Sequence, residues 1–159
     1  MKLVLLFIIG LVAGIAGVFL AIRMLAPGMM LREIKSPMGF DETVEAITQN
    51  AQNAGWVVSS IQPLDESIRK NGGGDLKPIR LVNLCNAGHA FEILKEEDNL
   101  TLSVMMPCTI SVYEKSDGNT YIGTMNAGLM GSLFGGTVAR VMGGTVARQQ
   151  QEFIAFAKH

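Results

Sequence analysis

Histidine, cysteine and net charge are all scarce in this chain. It has two histidines in 159 residues, and one of them, His159, is the last residue. Its two cysteines, Cys85 and Cys108, are too few for a disulfide-stapled scaffold or a four-cysteine zinc site. One disulfide, one two-thiol site or two inert thiols remain open. Thirteen basic residues against fourteen acidic ones leave a formal charge of −1. No face is obliged to be basic, which argues against nucleic acid as a partner. The motifs of conventional catalysis are missing as well. There is no Gly-x-Ser-x-Gly elbow, no His-Glu-x-x-His helix and no phosphate-binding Gly-Lys-Ser/Thr. The paired acids Asp65-Glu66 and Glu96-Glu97-Asp98 read as solvated helix ends. Conventional catalysis is therefore poorly supported; whether the protein is an enzyme stays open, with action on a thiol or sulfur substrate as the third reading after binding and assembly.

Charge is most conspicuously absent at the start. Residues 3–22, LVLLFIIGLVAGIAGVFLAI, carry none. At roughly 1.5 Å per residue, a helix of that length covers about 30 Å, the hydrocarbon thickness of a bilayer. No small-x-small cleavage site follows, so residues 1–25 read as an uncleaved transmembrane anchor rather than a signal peptide. Basic residues flank both sides, and the signal-anchor start favours a domain outside the cytoplasm. Gly10 and Gly14 form a G-x-x-x-G, continued by Ala13, Gly17 and Ala21, a face on which two such helices approach closely. Residues 26–37 read as a linker and 38–159 as one α+β domain.

Within that domain, residues 41–55 read as a helix capped by Asp41 and ended by Gly55, with Val44, Ile47, Ala51 and Ala54 on its inner face. WVVSSI (56–61) and IRLVNL (79–84) read as strands, separated by a short helical turn and the loop NGGGD. Asn86 is a cap for a helix over 87–97, with Ala90, Phe91 and Leu94 inward. LTLSVM (100–105) alternates as a strand, and so does TISVYE (109–114). Asp117-Gly118 marks a hairpin turn into TYIGT (120–124). Consecutive hairpin strands mixed with helices imply an antiparallel sheet with helices packed on one face.

Cys85-Asn86, Pro107-Cys108, VYE (112–114) and Asp117-Gly118, in that order, together with AGWVV before them and a Met- and Gly-rich helix after them, resemble the domain-of-unknown-function 302 family over roughly residues 38–157. Ala87 stands where relatives often carry Pro, and Trp56 where they often carry Phe. The resemblance implies a compact α+β domain that tends to pair with itself, and it implies no activity.

The C-terminal segment repeats itself: GGTVAR occurs at 135–140 and again at 143–148. Gly131, Gly135, Ala139, Gly143 and Ala147 recur every four positions, following Gly128. On one helix they form a continuous small stripe. The expected contact for that stripe is the domain's own sheet or an identical helix from a second chain. A break at Gly135-Gly136 or Gly143-Gly144, or a second membrane segment, is the alternative. Phe153 and Phe156 are expected inward, and Lys158 suits the helix's negative end.

The chemistry concentrates at Cys85 and Cys108. Cys85 ends a strand just before a helix, where backbone N–H groups favour a thiolate. Cys108 opens another strand. With His89 and Met106, or Met105, the pair suits copper(I), haem iron or a sulfur adduct. Two functional readings follow. One is a membrane-anchored, self-associating binding or redox module that uses the cysteine pair for a sulfur species, metal or haem. The other is a ligand-free structural protein assembling through its glycine-striped helix and anchor, alone or within a larger membrane complex.

Overall fold

The computed structural model describes the backbone of residues 2–157, and their side chains apart from positions 2, 3, 5, 6, 8, 9 and 25–27. Lys158 and His159 lie outside the described residues. Helix α1 covers Lys2–Met30. Among the described residues, no helix is long and apolar enough to cross a membrane.

Five strands make one sheet in the order β1-β5-β4-β3-β2, antiparallel at every pairing. They are β1 (Leu31–Lys35), β2 (Val57–Pro63), β3 (Ile79–Cys85), β4 (Cys108–Glu114) and β5 (Thr120–Met125). Alternation explains which face is covered. Val82, Leu84, Ile110, Val112 and Ile122 are at most 1% exposed, while their neighbours on the opposite face stay partly open. Helix α2 (Phe40–Asn53) covers this face with Ile47 and Ala51, both fully buried. The α+β architecture, an antiparallel sheet packed with helices, is therefore as expected.

Four local expectations change. First, the cap of α2 lies two residues earlier than expected. Gly39 is its cap, the Glu42 carboxylate accepts from the Gly39 N–H at 3.2 Å, and Asp41 falls in the first turn. Second, β1 lies inside the expected linker. It is an edge strand paired only with β5, and Ile34 is its one contact with the core. Third, residues 97–105 form a 3-10 helix instead of a strand. Both flanks of β4 are already filled by β3 and β5. With three residues per turn, Leu102 points inward and Val104 stands 88% exposed. Fourth, after the short helix α3 (Leu64–Lys70), helix α4 (Ala87–Leu94) is anchored by Ile93, and Phe91 faces outward.

The glycine-rich end departs furthest. It is two helices folded on each other. Helix α5 (Ala127–Phe134) stops at Gly135, and α6 (Gly136–Val138) runs through a π-helical stretch (Ala139–Val146) into α7 (Ala147–Phe153). Gly135 has φ 72° and ψ −169°, and Gly136 has φ 52°. The first conformation is essentially closed to side chains, which is why the chain breaks at this Gly-Gly. The second Gly-Gly lies inside the returning helix. There a Cβ built on Gly131 would come within 2.3 Å of the Gly143 nitrogen, so backbone meets backbone where the halves cross. The two GGTVAR copies thus do different work: one turns the chain, the other takes the crossing. Gly131 and Gly143 meet within one chain, and Ala147 sits beside Gly128. Gly135 forms the turn, and Ala139 is half-buried in the π-helical stretch.

Candidate functional site

The end of the sheet where β3 leaves and β4 enters brings the expected residues together. Leu84 pairs with Cys108 across β3–β4, and Cys85 is the next residue along. Both cysteines consequently reach the same edge of the core. The Asn86 side chain caps α4 by accepting from the His89 N–H at 3.1 Å, which fixes the first turn and presents His89. Removing that cap in Asn86→Ala is expected to cost about 1 kcal/mol, measured by denaturant unfolding followed through the single tryptophan.

Cys85, Cys108, His89 and Met106 all line one small cavity of about 30 Å³. Met105 joins them from the end of the 3-10 helix, and Met142 and Val146 close it from the π-helical stretch. Trp56, buried just before β2, forms another wall. The space suits one water molecule or one ion. Drug- and cofactor-sized groups occupy pockets roughly tenfold larger, so a haem does not fit this cavity. No carboxylate lines it.

The two thiols are free rather than joined in a disulfide. Burial pushes the Cys108 thiol up to about 11, and the neighbouring Cys85 adds to the effect. Cys108 is therefore a neutral thiol at physiological pH.

His89 is held by a network that local sequence pattern did not disclose. The Trp56 indole N–H donates to Gln149 Oε1 at 3.2 Å, and His89 Nε2 lies 2.9 Å from the same oxygen. An indole nitrogen can only donate, so this oxygen is the acceptor and His89 carries its proton on Nε2. The Trp56 and His89 rings meet edge to face at 5.6 Å, and Phe153 backs Trp56 at 5.5 Å. With the proton on Nε2, the free lone pair of His89 is on Nδ1. Among the described residues, no group of three or more His, Cys, Asp or Glu side chains is placed to hold a metal ion.

Met142 and Gln149 are the members that sequence reading missed. They lie far along the chain and reach the site only because the C-terminal segment doubles back at Gly135-Gly136. The Gly-Gly pairs were the one available signal.

The sequence matches the family described as "Domain of unknown function DUF302" over residues 32–156. The fold is similar to the crystal structure of an uncharacterized conserved DUF302 protein from Bacillus stearothermophilus. The two share 18% identity and a TM-score of 0.70, over 82% of this chain and 99% of that one. No curated protein matches the sequence.

Proposed function

The chain belongs to the DUF302 family, and from that premise we propose that it is a membrane-anchored binding module holding one small, soft ligand between Cys85 and Cys108. The observation that carries this reading is the shared cavity: two free thiols, three methionines and a fixed histidine line one apolar space of about 30 Å³. A site of that size takes a sulfur adduct or a single metal ion. The anchor rests on the charge-free stretch 3–22 at the start of α1. It holds the domain at the membrane, on the side away from the cytoplasm.

Self-association runs through α1 in this reading. Gly131 and Gly143 are already spent on each other, whereas Gly10, Gly14 and Gly17 have open space around them. Their spacing lets two such helices pack closely.

The test is native mass spectrometry of the full chain, extracted in detergent without oxygen. The expected spectrum shows a dimer or small oligomer carrying added mass of sulfur or metal. That mass disappears in the Cys85→Ser/Cys108→Ser double variant while the oligomer remains. Added mass that survives in the double variant contradicts the assignment of the thiols.

A further inference from the structure

We infer that the ligand of this cavity is a single monovalent copper ion, Cu(I), bound by the Cys85 and Cys108 sulfurs with a thioether from Met106 or Met142 beside them. The inference rests on the binding reading above and narrows it.

The donors decide the metal. Calcium, magnesium and manganese take oxygen ligands, and no carboxylate faces the cavity. Zinc takes four donors, nearly always from Cys, His, Asp and Glu. Here two thiols converge, and among the described residues no group of three or more His, Cys, Asp or Glu side chains is placed to hold a metal ion. The remaining heteroatoms are thioether sulfurs, contributed by Met105, Met106 and Met142. Thiolate with thioether is a donor set that favours Cu(I).

Size agrees. About 30 Å³ leaves room for a single ion. Two thiolates in this apolar wall would be costly, and Cu(I) between them brings their charge from −2 to −1. Each coordinating thiol exchanges its S–H bond for an S–Cu bond and releases one proton. Copper remains Cu(I) throughout, so no oxidant or reductant is needed.

Two components of the site come from different parts of the chain. Cys108, half-buried, opens β4, and Met142, only 4% exposed, comes from the π-helical stretch. Bound copper would tie the C-terminal helical hairpin to the sheet.

The experiment is a competition titration of the full chain, in detergent and without oxygen, using Cu(I) held by a coloured bicinchoninate complex. One copper per chain is expected, with X-ray absorption showing sulfur neighbours. Cys85→Ser or Cys108→Ser should abolish uptake. The volume-matched Met106→Leu and Met142→Leu variants are compared with wild type, and the liganding one should weaken binding by roughly tenfold. Zinc offered in place of copper at neutral pH should not be retained. Trp56 emission and far-ultraviolet dichroism certify the fold, and alanine replaces serine in any variant that fails to fold. Copper uptake indifferent to both cysteines, or tighter zinc than copper, overturns the inference. If copper is refused while the chain carries a cysteine-dependent sulfur adduct, the metal is wrong and the binding reading survives. If neither copper nor any adduct binds, both fall.

Discussion

Gly131→Ala is expected to destabilise the domain by more than about 3 kcal/mol, at or beyond the usual range for overpacking. The new methyl carbon would sit 2.3 Å from the Gly143 nitrogen and 2.7 Å from its Cα. Those atoms are backbone, so no side-chain rotation can make room. Helix α5 must then separate from the π-helical stretch, which carries the buried residues Val141, Met142 and Val146. The reciprocal substitution behaves differently. A Cβ on Gly143 meets its nearest neighbour, the Gly128 carbonyl oxygen, at 3.5 Å, an ordinary contact. Gly143→Ala is expected to fall within about 1 kcal/mol of wild type, because alanine's better helix propensity offsets small losses. Thermal unfolding followed by Trp56 emission separates the two. Gly131→Ala should lower Tm by roughly 10 °C, and Gly143→Ala should leave it within a few degrees. Equal effects would mean that the helical hairpin does not cross at these residues.

The second large effect concerns Cys108. Its thiol titrates near 11 against an ordinary value of 9.0. At pH 8 the native protein should therefore hold about 100-fold less Cys108 thiolate than the unfolded chain. Alkylation by iodoacetamide follows the thiolate, so it should slow by about the same factor, read site by site by mass spectrometry. The shift also has a stability consequence. Because the folded state keeps its proton longer, the unfolded chain ionises first as pH rises. Stability is intact below pH 9 and falls as pH climbs through 11, by roughly 2–3 kcal/mol. The difference between wild type and Cys108→Ala across that window isolates this group from other titrations. A difference that does not change with pH would contradict the burial of Cys108 in the cavity wall.

The sheet was legible where alternation and turn chemistry agree. In β4 and β5, alternate residues are fully buried, and Asp117-Gly118 between them makes the hairpin, with Gly118 at φ 76°. β1 was not legible, because LREIK offers one core residue and gains its strand character from pairing with β5. LTLSVM misled for the opposite reason: its alternation is genuine, but the sheet has no vacant edge beside β4. Periodicity describes a segment, and it carries no information about whether a partner strand is available.

The same distinction holds at the site. Cys85, Asn86, His89 and Cys108 sit at element ends that the sequence marks, and the sheet register brings them together. Met142 and Gln149 depend on where the C-terminal helix breaks. A four-residue spacing of small side chains fits a straight helix packed on a partner and a helix folded on itself equally well. The backbone conformation of Gly135 decides between them.

The central claim is that Cys85 and Cys108 face one cavity and act on one ligand. Arsenite tests it most directly, because its single trivalent arsenic is retained only by thiols close enough to bond the same atom. The full chain, reduced and kept from oxygen, should capture one arsenical per chain, and either single Cys→Ser variant should capture none. Retention by a single variant, or two cysteines that alkylate independently with no arsenical bound, would contradict the account.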